Sequence, residues 1–503
     1  MSNRFEIPAL SPTEANNYWG TILKKGLTAP YGKYPAQIGH PVKLSSSFVR
    51  EINDGAKATH AVVIDTIATA GGVTEWMRSK PVTFGPYTLN NPAINEQLQE
   101  RLNEGYGLPL IYDVLIAREH GEARPKVLEI QTGIGYETTL DEWLQAAGYD
   151  PNDARGRFGN ESPATRYASY SSRFALGEPI TIIDTDPLNP FSAVSRIDEI
   201  GMQQIVGGRN DIPISPVDII GKDENGYFFH PYIADGGKHF DVKRDRHGTP
   251  QKDTSRKEYV KHVLARMGQP DLTRLWEQVK HDQGKVNLIT QFLDDSNINW
   301  IFHPSWPHLG DKTMLPIIRN QLLQEGNPLA SQFEPVYGQG EKVIETGKYI
   351  KKPTGSKGGE GHIIIQVNEG DSVQVEEGYI YQQIMKPFPT LSYIPGRLAA
   401  GIRRDLRTQT LDEEAGDELR PITGQLEVRC LIPPYWKDET IGRNMTRYAP
   451  RWDNPDTLHR TQTNILPIYN SLHTHLARTD RGDDHRFYPY GFGPVVIFDG
   501  NNE

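Results

Sequence analysis

The apolar positions in the first 150 residues predict short strands and two helices joined by polar turns, the second helix ending at Gly148. Residues 61–67 (AVVIDTI) form an apolar run typical of a short buried strand, and residues 93–103 have helical spacing. Further on, PLIYDVLIA (109–117) and KVLEIQ (126–131) are β-like and flank the polar stretch REHGEARP. Two such runs around a glycine-containing turn predict an antiparallel hairpin, here with a long loop.

A different pattern begins near residue 176. EPITIID (178–184) predicts a strand, AVSRIDEIGMQQIVGG (193–208) a helix, and SPVDIIG (215–221) another strand. Strand, helix and strand at this spacing indicate a βαβ unit and therefore a parallel sheet. Residues 257–268 and 272–293 have the periodicity of helices. Residues 176–330 are thus predicted to form an α/β domain.

The remaining part of the chain returns to strands. Residues 348–384 predict strands around a glycine-rich loop, and GQLEVRCLI (424–432) and FGPVVIFDG (492–500) predict two more. The chain therefore combines α/β organisation in its middle with α+β character on both sides.

Composition narrows the class of protein. The chain has 503 residues and a net charge of −10, with no Lys/Arg block, so nucleic acid is not an expected partner. We expect no membrane association, since no apolar run approaches the ~20 residues of a spanning helix. The N-terminal residues do not read as a signal peptide, and one cysteine, Cys430, cannot form an internal disulfide. These features indicate a cytoplasmic protein.

The predicted hairpin carries a candidate metal site. Its midpoint is near Gly121, so antiparallel pairing sets Asp113 opposite Glu129. Side chains alternate along a strand, and Glu129 and Gln131 therefore share one face. Two carboxylates and an amide oxygen suit Mg²⁺, which prefers oxygen ligands. A solvated strand face is the alternative interpretation.

The segment YIKKPTGSKGGEGHIIIQ (349–366) is a candidate phosphate site. A strand brings Lys351 and Lys352 to a loop that contains Gly355, Gly358 and Gly359. Glycines let backbone N–H groups approach phosphate oxygens, and a lysine adds a point charge. A plain glycine-rich hairpin is the alternative.

Three further segments are candidates for ligand contacts. GYIYQQIMKPFP (378–389) predicts an apolar strand whose Gln382 could meet an adenine edge, or simply a core strand. Lys312 opens an amphipathic helix after a polar turn. Arg429 and Arg447 carry guanidinium forks that match carboxylate and phosphate oxygens, although surface arginines are common.

Taken in order, these segments resemble the synthetase domain of glutathionylspermidine synthetase and its relatives, which are circularly permuted ATP-grasp enzymes. KVLEIQTGIGYETTL resembles the family's L-E-x-N-x-D-T-P-T segment, which puts Glu129 and Gln131 on metal-binding positions and Asp113 on the preceding metal-binding Asp. YIKKPTGSKGGEGHI resembles the lysine-bearing lid, with Lys352 as the ATP lysine and Lys312 as the second. Two departures are Gln131 for Asn and Ile111 for a catalytic Arg.

The resemblance implies an ATP-grasp-like fold with a parallel-sheet pre-ATP-grasp-like domain at 176–330. Residues 1–150 would contribute the metal-binding hairpin, and 331–503 the lid and the rest of the core. ATP would contact Lys312, Lys352, Gly355, Ser356, Lys357, Gly358, Gly359 and Gln382. Mg²⁺ would bind Asp113, Glu129 and Gln131, and Arg429 and Arg447 would act on the reacting groups.

The implied activity is an ATP- and Mg²⁺-dependent ligase that joins a small-molecule or peptide carboxylate to an amine through an acyl phosphate. One alternative is a phosphotransferase with a hydroxyl acceptor on the same scaffold. Another is a catalytically inactive nucleotide-binding or scaffold protein, which the missing arginine at Ile111 supports. The oligomeric state stays open.

Overall fold

The computed structural model describes residues 5–6, 42–133, 170–185, 187–188, 213–235, 242–355, 362–385, 389–395, 419–432, 443–449 and 491–498. Within these ranges the helices are α1 (Ser46–Thr69), α2 (Val73–Ser79), α3 (Pro92–Asn103), α4 (Gln269–Val279), α5 (Gln283–Leu293) and α6 (Met314–Gln324).

The strands of the first 302 residues are β1 (Phe5–Glu6), β2 (Val42–Ser45), β3 (Thr83–Phe84), β4 (Tyr87–Thr88), β5 (Leu110–Glu119), β6 (Glu122–Thr132), β7 (Ile180–Ile183), β8 (Ile219–Asp223), β9 (Gly226–Phe229), β10 (Glu258–Val260), β11 (His262–Ala265) and β12 (Asn299–Phe302). Those that follow are β13 (Val336–Tyr337), β14 (Lys342–Val343), β15 (Gly347–Pro353), β16 (Ile363–Val367), β17 (Val373–Gln374), β18 (Tyr379–Gln383), β19 (Pro389–Pro395), β20 (Leu419–Ile432), β21 (Arg443–Ala449) and β22 (Gly491–Phe498). The chain therefore mixes helix and sheet. In its described part, no helix has the length and apolar character needed to cross a membrane.

The largest sheet of the described residues has the order β1-β2-β22-β21-β20-β5-β6, and β19 pairs with β20 beside this path. Its last two strands form the predicted hairpin, and β6 is an edge strand. The turn is tighter than predicted, because the strands continue to Glu119 and Glu122. His120 and Gly121 both have positive φ, at 50° and 86°. Positive φ at both central residues is typical of a two-residue hairpin turn.

Helix α1 corrects the predicted strand at residues 61–67, which lies inside it. Its buried side chains recur every three or four residues, as Phe48, Ile52 and Ala56 do. The Ser45 side chain caps the helix by accepting a hydrogen bond from the Phe48 N–H at 3.2 Å. The apolar run is thus one stretch of a longer amphipathic helix, which packs on β5 and β6.

A parallel sheet is present and contains β7, the first strand of the predicted pair. Next to the predicted second strand, Ile214 forms an isolated parallel bridge with Ile183 of β7. Strands β12, β11 and β7 form it in that order, with both pairs parallel. The helix predicted at 257–268 is wrong, since β10 and β11 occupy that stretch. The strand predicted at 215–221 begins as a 3-10 turn and continues as β8, which pairs antiparallel with β9. The helix predicted at 193–208 lies outside the described residues, and the three-part domain division stays a prediction.

The glycine-rich segment is flanked by strands of a separate four-stranded antiparallel sheet, in the order β13-β18-β15-β16, which we call the lysine sheet. One of its faces packs into a small apolar core. That core contains Val343, Tyr349, Val367, Val375 and Tyr381. The opposite face carries Lys352 and Gln382, whose side chains reach the backbone of β6.

A close approach at Gly310 brings a second segment against β6. Gly310 ends a 3-10 turn (Trp306–Gly310) two residues before Lys312. A Cβ at Gly310 would lie 2.4 Å from the Thr132 Oγ1 at the end of β6. Only a residue without a side chain allows this spacing, and the absence of a Cβ therefore helps to hold Lys312 beside the hairpin.

We predict that Gly310→Ala lowers the free energy of unfolding by about 1–3 kcal/mol, the usual effect of forcing a methyl group into a packed site. Gly133→Ala is the matched control, because a Cβ there meets nothing within 4 Å. It should change stability by less than about 0.5 kcal/mol. Urea unfolding of both variants measures the difference, and equal losses would contradict the steric argument.

Candidate functional site

A β-bulge in β6 decides which side chains face the candidate site. Asp113 pairs with Glu129 but Val114 pairs with Val127, so Leu128 is one extra residue on β6. Val127 consequently lies in the main apolar core, whereas Glu129 faces the other side of the hairpin. In an unbroken strand these two residues, two apart, would share one face.

The strand pairing places the oxygen-bearing side chains of the predicted face next to one another. The expected pairing of Asp113 with Glu129 is confirmed, and Gln131 pairs with Ile111. Asp113 is 1% exposed. On its other side, Asp113 is the backbone partner of Arg429 in β20. Three oxygen-bearing side chains therefore stand on adjacent positions of two strands.

Lys312 lies in the turn between the 3-10 segment and α6, as predicted from the polar turn before an amphipathic helix. Its Nζ is 3.7 Å from the Glu129 Oε2, and the residue is 6% exposed. The neighbouring Asp311 carboxylate accepts a hydrogen bond from the Thr313 N–H at 2.8 Å and lies 3.7 Å from the Lys80 Nζ. These contacts orient the turn that carries Lys312.

Lys352 reaches the same stretch of β6 from the lysine sheet. Its Nζ donates to the Leu128 carbonyl at 2.8 Å and to the Gln382 Oε1 at 2.5 Å. The Gln382 Nε2 donates in turn to the Val127 carbonyl at 2.7 Å. In a regular strand the carbonyls of consecutive residues point in opposite directions. The bulge changes this alternation, so the carbonyls of Val127 and Leu128 are both accessible to the lysine sheet.

His362 belongs to this cluster, although the sequence interpretation did not single it out. It comes directly before β16. Ile363, the first residue of β16, pairs with Lys351, and continuing this register by one residue sets His362 across from Lys352. Burial, and then the ammonium groups of Lys352 and Lys312, lower the pKa of His362 from 6.5 to about 3, against the opposing Glu129 carboxylate. The sequence signal that could have identified His362 was its place at the start of the strand predicted to pair with the strand of Lys352.

The cluster offers cationic donors to an anion. Among the described residues, the ammonium groups of Lys352 and Lys312 act on His362 more strongly than the Glu129 carboxylate does. Charges interact strongly where water is excluded. Phosphate oxygens match these donors.

The hairpin face fits a hard metal ion. Asp113, Glu129 and Gln131 supply two carboxylates and an amide oxygen in register. The described residues contain no group of three or more His, Cys, Asp and Glu side chains arranged around a common point. Any metal here would therefore need the amide of Gln131 or water as a further ligand.

The remaining predicted site residues fall into three sets. Gly355 is exposed at the end of β15, with open space around its Cα. Ser356, Lys357, Gly358 and Gly359 lie outside the described residues. Arg429 and Arg447 lie in β20 and β21, where Arg447 pairs with Glu427 in backbone register. The Gln382 amide bonds to Lys352 through its oxygen and to the Val127 carbonyl through its nitrogen. Its contact with an adenine stays a prediction.

Comparison with known proteins does not identify a family or an activity for this chain. No family model matches the chain, and no curated protein matches it by sequence. Among solved structures, 31 chains match. One is the apo form of a glutathione synthetase like-effector (GSS30) from Globodera pallida, with 12% identity and a TM-score of 0.44, covering 88% of this chain and 96% of that chain. At these values the likeness assigns neither a fold family nor an activity.

We predict that His362 stays neutral from pH 8 to pH 5 and that Lys352→Met raises its pKa above about 3. The pKa should remain below 6.5, because burial still disfavours the imidazolium. Histidine ¹³C NMR titration measures both values. The control is Lys351→Met on the opposite face, where Lys351 lies 2.6 Å from Glu376. An equal rise in both variants would show that Lys352 does not act on His362 specifically.

Proposed function

We propose that this chain is an ATP- and Mg²⁺-dependent ligase that joins a carboxylate to an amine through an acyl phosphate. One observation carries the proposal: Lys312 and Lys352, from different elements, converge on the same bulged stretch of β6. Lys312 reaches Glu129 and Lys352 reaches the carbonyl of the preceding residue. The convergence agrees with the motif order that resembles the permuted ATP-grasp enzymes.

The charge at this convergence favours a polyphosphate. Lys312 and Lys352 are 6% and 4% exposed, and keeping two ammonium groups in such surroundings is costly without anionic or dipolar partners. The Leu128 carbonyl and the Gln382 amide accept hydrogen bonds from Lys352, and the Glu129 carboxylate lies 3.7 Å from the Lys312 Nζ. A phosphate chain would add negative charge and several acceptor oxygens beside both ammonium groups.

An apolar surface beside Lys352 supports a nucleotide rather than inorganic phosphate. Ile350 pairs with both Ile364 and Gln382, so these three residues form a row across the sheet on the face of Lys352. Ile364 is 38% exposed. A purine ring would cover such a surface, and burying apolar area is favourable.

The hairpin oxygens would hold the metal ion. Asp113, Glu129 and Gln131 are its ligands in this proposal, and bound Mg²⁺ would neutralise phosphate charge during transfer. Lys312 and Lys352 position the phosphates, because phosphoryl transfer asks a protein mainly for positioning and charge stabilisation. Arg429, the backbone neighbour of Asp113, is the candidate to orient the substrate carboxylate.

The position of Ile111 favours a second candidate, a nucleotide-binding protein without ligase activity. Ile111 is buried opposite Gln131 and occupies the place where the resembled family has a catalytic arginine. An alkyl side chain cannot stabilise a transferred phosphoryl group. Turnover therefore separates the two candidates, whereas ATP binding alone does not.

We predict that Lys352→Ala weakens ATP binding in the presence of Mg²⁺ by about tenfold or more, because a hydrogen-bonded charge contributes on the order of 1.5–3 kcal/mol. Lys351→Ala, its neighbour on the opposite face, should change the Kd by less than about threefold. Isothermal titration calorimetry measures both. Wild-type protein that binds no ATP over a broad Mg²⁺ range would reject the nucleotide site.

We further predict that ADP release requires both a carboxylate and an amine, and that the product is an amide. The assay pairs small-molecule and peptide carboxylates with amines and identifies products by mass spectrometry. A phosphorylated hydroxyl compound would instead identify a phosphotransferase on the same scaffold. Tight ATP binding with no turnover for any pair would favour the inactive candidate.

A further inference from the structure

The His362 imidazole presents a buried nitrogen that lacks a hydrogen-bond partner within the protein. Among the described residues, no donor or acceptor bonds to its Nε2, which is shielded from solvent. A buried polar atom in this condition loses its hydration and gains nothing in return. In native proteins such an atom is satisfied by ordered water, an ion or a ligand.

The position of His362 places its imidazole near the lysine pair. Ile363 pairs with Lys351, so continuing that register by one residue sets His362 across from Lys352, and cross-strand neighbours have Cβ atoms about 4.5–5.5 Å apart on one face. Among the described residues, Lys352 on β15, Lys312 before α6 and Glu129 on β6 act electrostatically on the imidazole. The imidazole therefore shares the space that a ligand of the two lysines would enter.

The chemistry of that ligand follows from its neighbours. Among the described residues, the two ammonium groups act on the imidazole more strongly than the Glu129 carboxylate does, which favours an anion as the ligand. A neutral imidazole donates through one N–H without adding charge. A phosphate chain carries more acceptor oxygens over a greater length than a carboxylate does, so it can meet donors that come from three different elements.

We propose that His362 is a third phosphate-binding residue of this site, donating from Nε2 to a phosphoryl oxygen of the ATP that Lys312 and Lys352 hold. This inference rests on the proposed nucleotide site and adds a residue to which the resemblance to the ATP-grasp enzymes assigns no role. The imidazole fixes the orientation of the phosphate chain by a directed hydrogen bond, which a lysine ammonium on a flexible stem does less well.

The experiment compares His362→Leu with His362→Gln, since the glutamine amide keeps an N–H donor near the Nε2 position. Calorimetry measures binding of ATP and of inorganic tripolyphosphate, both with Mg²⁺. His362→Leu should weaken both ligands about tenfold or more, and His362→Gln should stay within about threefold of wild type. His281→Leu, at an exposed histidine between α4 and α5, is the control and should leave both affinities unchanged.

A readout on the wild-type chain removes any dependence on the folding of a variant. With ¹⁵N-labelled histidine, tripolyphosphate should shift the Nε2 resonance of His362 and leave that of His281 in place. An unmoved His362 resonance at saturating ligand, or a leucine variant that binds like wild type, would overturn the inference alone. A wild-type chain that binds neither probe would overturn the nucleotide site itself. A shifted resonance without turnover would support His362 and count against the ligase.

Discussion

One extra residue in β6 connects the two halves of the candidate site. The bulge at Leu128 turns Val127 into the main core and leaves Glu129 on the opposite face beside Asp113. It also makes two consecutive carbonyls available to Gln382 and Lys352. In the described part of the sheet β6 is the last strand, so its outer backbone groups need partners from outside the sheet. Two side chains of the lysine sheet bond to carbonyls of β6, which brings a buried lysine to the acidic face.

The site depends on packing from two directions. The lysine sheet is held from behind by its own small apolar core around Tyr349 and Tyr381, which fixes the opposite face towards β6. Lys312 arrives from the other side, where Gly310 packs closely on Thr132. Neither lysine is positioned by its sequence neighbours alone, since each depends on contact with the same stretch of the hairpin. A binding site built on rigid strands in this way loses little conformational entropy when a ligand arrives.

The cluster combines an ion pair with hydrogen bonds to neutral groups. Lys312 lies 3.7 Å from Glu129, and the acceptors of Lys352 include a carbonyl and an amide. The positive charge of the two ammonium groups acts on His362: together with burial, it lowers the pKa of the imidazole to about 3. A strongly perturbed group in a buried cluster is typical of functional sites.

The amino-acid sequence by itself determined the local elements that short-range pattern controls. The midpoint at Gly121 predicted the pairing of Asp113 with Glu129, and the polar turn before an amphipathic helix predicted the setting of Lys312. It failed where an apolar run fits helix and strand equally, at 61–67 and 257–268. Only the tertiary structure decided that Leu128 bulges, that Gln382 bonds Lys352 and Val127, and that His362 joins the lysines. The bond from Gln382 to Val127 joins residues 255 positions apart in the chain, and no local periodicity encodes such a contact.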